Sequence, residues 1–110
     1  MRVIDPGHLY ELDNLEAETK STLRFMKDAK IHGEGYDGVT CQEVIRALID
    51  RVQTLDKEKP WAGNTDIVYD LRHALAGFEA RALLRHVEKE GLAIERLPLA
   101  SDGHLRLDTM

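Results

Sequence analysis

The chain has a single cysteine, Cys41, and so cannot close a disulfide within itself. A stapled secreted mini-domain is excluded, and a reducing, cytosolic setting is expected. Three prolines and eight glycines in 110 residues are too few for a linker or a low-complexity chain. Long apolar runs are missing as well: the longest are a few residues, against the ~20 that span a bilayer, and no apolar segment follows the start as a secretion signal would. Basic residues are in deficit, with 15 Lys and Arg against 20 Asp and Glu, a formal charge of −5. General coating of DNA or RNA rests on many cation–phosphate contacts and is therefore not expected, although a local basic pocket remains open.

What is present is ordinary globular material, 43% hydrophobic and 32% charged. A chain this long makes one domain, spanning 1–110, and buries roughly 60–70% of the surface its unfolded form exposes. The pattern along it predicts an α+β fold, with small N-terminal antiparallel hairpins followed by two long helices. Arg2 to Asp5 and His8 to Leu12 flank Asp5-Pro6-Gly7-His8, where Pro second and Gly third suit a type II turn. From Ser21 to Lys27, Leu23 and Phe25 alternate with Thr22, Arg24 and Met26, as in a strand with one buried face that turns Arg24 outward. Asn14 to Lys20 reads as a connection.

Thr40 followed by Glu43 forms a capping box that opens a helix running to about Lys57, before Pro60. Cys41, Val44, Ile45, Leu48, Ile49, Val52 and Leu55 share its apolar stripe, with Glu43, Arg46, Asp50 and Gln53 opposite. Asn64 is the expected N-cap of a second helix that Gly91 stops. Its stripe runs from Ile67 through Leu71, Ala74, Leu75, Phe78 and Ala82, while Leu83, Leu84 and Val87 rotate onto another face. A helix apolar on two sides predicts self-association. Beyond Gly91, Leu92, Ile94, Leu97 and Leu99 precede Asp102-Gly103, which reads either as a C-terminal hairpin over 92–110, serving as an oligomerisation arm, or as a frayed tail.

Few motifs carry chemistry. Gly33-x-Gly35-x-x-Gly38 matches a dinucleotide fingerprint, but a polar segment precedes it and a second helix follows the first. A flexible loop is the default reading, one able to lend N–H groups to an anion. The histidines at 8, 32, 73, 86 and 104 show no metal-ligand spacing, and no Ser or Cys has a marked base beside it. No metal, no cofactor and no catalytic residue is expected, and the protein reads as a binder rather than an enzyme. The more informative feature is Arg81 and Arg85, which interrupt the second helix's apolar stripe: Arg81 beside Phe78, and Arg85 about five turns below Ile67. Either their stems pack while the guanidinium groups reach water, or the pair meets a phosphate bidentately.

Several stretches together resemble one family. RVIDPGHLYEL at the start, LRFMK, TCQEVIRALIDRV followed by LD, Asn64, and LRHALAGFEARALLRH, between about residues 2 and 86, are similar to the phage-encoded Thoeris anti-defence proteins of the first-described family. QEVIRALIDR and RVIDPGH are the most specific. The resemblance implies a molecular sponge that sequesters cyclic ADP-ribose isomers uncleaved, so that the Thoeris effector in the host bacterial cytoplasm is not triggered. It implies a homo-oligomer, dimer or hexamer, with pockets at subunit interfaces, and in some members separate pockets for cyclic oligonucleotides. Asn64 and Arg81 would contact ligand, Asn64 on ribose or adenine and Arg81 on the pyrophosphate, with Arg85, Lys27 and Arg24 as further candidates. Thr54 stands where family members tend to carry an aromatic. Stacking on a ring there is worth about 1–3 kcal/mol per base, so either Trp61 or Tyr69 compensates or ligand preference differs. Two other classes stay open: a phage protein that inhibits a host enzyme by direct contact, and a small nucleotide-processing enzyme.

Overall fold

In the computed structural model, residues 1–16 and 18–90 are described, and the hairpin expected over 92–110 lies outside them. The chain is α+β and divides into two compact units, Met1–Thr40 and Cys41–Met110.

In the first unit, β1 (Arg2–Asp5), β2 (Leu9–Asp13) and β3 (Lys20–Arg24) form an antiparallel sheet in that order. The expected turn joins β1 to β2. His8 N–H donates to the Asp5 carbonyl at 2.9 Å, and Gly7 takes a φ of +82°, the left-handed value that the third position of a type II turn demands. β2 and β3 pair regularly from Leu9 opposite Arg24 to Asp13 opposite Lys20, while the β1–β2 register slips between Val3 and Asp5, a bulge. Leu23 and Phe25 are half-buried and Thr22, Arg24 and Met26 exposed, as the alternation predicts. The Tyr10 ring meets Phe25 edge-on, centroids 5.9 Å apart. At the far end of the sheet Lys20 and the N-terminal ammonium both bond Asp13, and in that order they hold its carboxyl down at about 2.

The strand expected over 21–27 ends early, at Arg24, because the chain beyond it pairs with a different partner. Phe25 bridges Val39 and Lys27 bridges Tyr36. Between them lies α1 (Ala29–His32), a single turn that the sequence pattern did not reveal, capped by Asp28, whose carboxylate accepts from Lys30 N–H at 2.8 Å. The glycine motif now has a structural use. Four backbone hydrogen bonds of 2.9–3.1 Å tie Tyr36 and Val39 to the 24–27 segment. A Cβ on Gly35 would lie 2.5 Å from the Lys27 carbonyl oxygen, and one on Gly38 2.6 Å from that of Arg24. Close backbone approach requires these glycines. The expected flexible, anion-cradling loop is thus corrected to a stitched segment whose Tyr36 and Val39 N–H groups are already engaged.

The second unit is a helical hairpin of α2 (Cys41–Glu58) and α3 (Gly63–Glu90). α2 begins after Thr40 as expected. Its buried line, however, is rotated toward residues of the expected polar face. Ile49 (6% exposed) and Gln42 (8%) are buried, whereas Leu48 (45%) and Leu55 (38%) are left outside. On α3, Leu75 (0%), Ala82 (5%) and Glu79 (4%) are buried. Val68, Leu71, Phe78, Leu83 and His86, half-buried, complete a line at helical spacing, while Ile67, Ala74, Leu84 and Val87 are exposed.

One ion pair accounts for the rotation. Arg46 and Glu79 bond directly, with side chains only 13% and 5% exposed. Arg46 also reaches Glu43 at 3.2 Å. Counting apolar residues assigns Arg46 to the solvent face, and the structure corrects this, because a charge desolvated by a partner counts as interior. Removing Glu79 takes from Arg46 the more deeply buried of the two carboxylates that face it. Glu79→Ala is therefore expected to cost about 3–5 kcal/mol in urea unfolding, while Arg46→Met combined with Glu79→Leu recovers most of that loss. Leu75→Ala, which empties a fully enclosed site, is expected to cost about 2–5 kcal/mol in the same measurement.

Candidate ligand site

The hairpin turn is organised by Asp56. Its Oδ1 accepts from the Trp61 backbone N–H at 3.1 Å and from Asn64 Nδ2 at 2.9 Å. The Asn64 amide first, then the Trp61 N–H, hold this carboxyl below the usual aspartate range, and partial burial opposes them weakly. Asn64 is accordingly not the N-cap that its position suggests. α3 starts two residues earlier than that cap would give, at Gly63, with Asn64 N–H bonded to the Trp61 carbonyl at 3.0 Å, and the Asn64 side chain points back to α2 instead of capping its own helix.

Beside this turn α2 and α3 leave an open cleft of about 460 Å³, within the range of small-ligand sites. Val52 and Val68 form apolar walls, while Gln53, Asp56, Lys57 and Asn64 supply hydrogen-bonding and charged groups. Sequence reading found Asn64 here and missed Asp56 and Lys57. A signal for Asp56 existed. An acid in the last turn of a helix sits against the negative end of the dipole, and tolerating it calls for a compensating donor nearby.

The other expected site residues lie elsewhere. Thr54 is exposed and does not line the cleft. Trp61 and Tyr69 are 63% and 68% exposed and do not line it either. A Cβ on Gly63 would run into the Trp61 ring, which thus folds over the start of α3, and Tyr69 tilts against His73 with centroids 6.5 Å apart. Arg81 and Arg85 are exposed, form no ion pair among the described residues, and stand one turn apart on α3, off the buried line. The expectation that they interrupt the packed stripe is corrected by the rotation that brings Glu79 inward. Seventeen residues of helix separate Asn64 from Arg81, about 26 Å along the axis, so one chain does not bring them to one small ligand.

Arg24 and Lys27 do come together, in the first unit. Both cations lie against the Tyr36 ring, 5.6 and 5.7 Å from its centroid. Lys27 donates to Asp5 at 3.0 Å, and the Tyr36 hydroxyl donates to the same carboxylate oxygen at 2.7 Å. The Tyr36 bond foremost, and Lys27 after it, lower the Asp5 carboxyl. Burial, then the Asp5 charge, raise the Tyr36 hydroxyl. Lys27 is thus committed to holding the fold, whereas Arg24 makes no ion pair among the described residues.

Among the described residues no group of three His, Cys, Asp or Glu is placed to hold a metal, and no helix is long and apolar enough to cross a membrane. Comparison of the chain with family models, with curated proteins and with solved structures finds no match.

Asp56 gives the hairpin turn a pH signature. Its carboxyl titrates lower folded than unfolded, so its contribution is present above the unfolded value of about 4 and is lost as pH falls through the lower, folded one. Thermal unfolding of Asp56→Asn against the parent protein is expected to show a deficit at pH 7 that closes as the pH is taken below about 4.

Proposed function

We propose that this protein is a phage-encoded anti-defence sponge, which binds and sequesters a cyclic ADP-ribose immune signal without breaking its bonds and so keeps a Thoeris effector in the bacterial cytoplasm inactive. The observation that carries the reading is the location of Asn64. This residue, which the family resemblance puts on the ligand, lies in a cleft of suitable size, where Gln53, Thr65 and the charged Asp56 and Lys57 join it between two valine walls. Such a lining suits a nucleoside: apolar walls take the sugar and base faces, and polar groups read their edges.

The geometry also sets a condition. The cleft holds the carboxylate of Asp56, an unfavourable neighbour for a pyrophosphate, and the cations proposed for the phosphates stand about 26 Å away on the same helix. In the proposed sponge a second copy of the chain therefore contributes Arg81, with Arg85 one turn on. The apolar side chains left outside the packed line, Ile67, Leu84 and Val87 (39%, 61% and 40% exposed), supply surface for that association. A guanidinium suits this role, since it remains charged and binds phosphate through two parallel hydrogen bonds. A rigid pocket built between copies gains affinity by avoiding ordering costs on binding.

Titration calorimetry with the cyclic ADP-ribose isomers, alongside light scattering for the assembly state, tests the proposal. Binding is expected from an oligomer, weakened about tenfold or more by Arg81→Ala, as for loss of hydrogen bonds between charged groups, and about two- to tenfold by Asn64→Ala, as for neutral ones. A strictly monomeric protein, absence of heat at micromolar protein, or binding undiminished in Arg81→Ala would overturn it, and recovery of a chemically altered ligand would replace the sponge with an enzyme.

A further inference from the structure

The free valences of the Asp56–Asn64 contact define what the cleft can take. Asp56 Oδ1 already accepts two hydrogen bonds, one for each lone pair. Its partner oxygen, Oδ2, accepts none from the described residues. The amide of Asn64 has its nitrogen on the carboxylate, and the opposite orientation would set an amide oxygen against a negative charge. The Asn64 Oδ1 is thereby held on the other side of the amide, and it also accepts from no described residue. Two acceptors with open lone pairs are thus fixed close together, on one shared N–H···O contact, in a cleft between Val52 and Val68.

We infer that this pair is a receptor for a cis-diol: Asp56 Oδ2 and Asn64 Oδ1 each accept one of two neighbouring hydroxyls of a ribose, and the cleft selects ribonucleotides over their deoxy counterparts. The inference rests on the nucleotide reading above and adds a specificity residue, Asp56, to it. Ligand chemistry follows from the charges. A carboxylate whose ionised form is favoured by two donors repels a phosphate and attracts hydroxyl donors, so the sugar enters this end. Lys57, on the rim of the same cleft, leaves the phosphate directed outward, where further cations can meet it. The hydrocarbon face of the ribose packs on the valine walls, and its hydroxyl edge reaches the acceptors.

The test is a set of nitrogen–proton correlation spectra of the full chain titrated with adenosine 5′-phosphate and with its 2′-deoxy and 3′-deoxy analogues. Adenosine 5′-phosphate is expected to shift the cleft amides and the Asn64 side-chain amide. The deoxy analogue that lacks the hydroxyl on Asp56 Oδ2 is expected to bind about ten- to hundredfold more weakly, the loss typical of one hydrogen bond to an ionised group, and the other, whose lost bond is to the neutral Asn64 amide, about two- to tenfold. Asp56→Asn is expected to bind adenosine 5′-phosphate and the former analogue equally weakly, with amides remote from the cleft unmoved, so that lost discrimination is separated from lost folding. Equal affinity for the three nucleotides, survival in Asp56→Asn of the discrimination against the former analogue, or no cleft shift at millimolar nucleotide overturns the inference. None of these titrations requires Arg81 or a second copy. If cyclic ADP-ribose isomers bind through Arg81 while the deoxy analogues bind as well as the ribonucleotide, only the diol receptor falls. If the discrimination is present and the cyclic isomers do not bind, only the sponge falls.

Discussion

The carboxylate of Asp56 is the contact on which the helical unit's geometry turns. An acid near the end of α2 faces the partial negative charge of that helix's unpaired carbonyls and would ordinarily be unfavourable. Here the backbone N–H of Trp61 and the amide of Asn64 offset the repulsion. In doing so they fix where the chain reverses and where α3 begins. They also determine which way Asn64 points, so the same hydrogen bonds that close the turn shape the wall of the cleft. In the proposed receptor, folding and recognition share one group, and its ionisation links them.

Much of the fold was legible in the sequence because it is written in local, periodic signals. Pro6 and Gly7 specify a turn, Leu23 and Phe25 mark a buried face by alternation, and Thr40 with Glu43 marks a helix start; all three reappear in place. The rotation of both helices about their axes was not legible. Hydrophobic periodicity assumes that charged side chains face water, and Arg46 and Glu79 break the assumption together, 33 positions apart in sequence. A mutual burial of this kind leaves no trace in either helix alone. α1 was missed for a different reason: one turn held by Asp28 and ended at Gly33 is too short for any period to show.

The site was legible only in pieces. Asn64 and the arginines could be singled out, and the expected helix from Asn64 to Gly91 already implied their separation, because a contiguous helix of 28 residues converts proximity in sequence into distance in space; the cleft beside Asn64, formed with α2, was not legible. The proposed function therefore depends on assembly, which the second apolar face of that helix leads one to expect. Lys27 illustrates the converse. As a lone cation in an exposed strand it reads as available, yet it belongs to an Asp5–Tyr36 network that ties the stitched glycine segment to the first strand. Arg24 beside it has no such obligation among the described residues.

The Arg46–Glu79 pair also constrains how the protein can drift over generations. A single change on either side takes a buried partner from the remaining charge, whereas an apolar pair of similar volume would be tolerated. Between two acceptable states lies an intermediate that folds poorly, so lineages cross from one to the other seldom. The inward-facing arginine and glutamate should accordingly be inherited or replaced as a unit, even where the surrounding surface diverges freely.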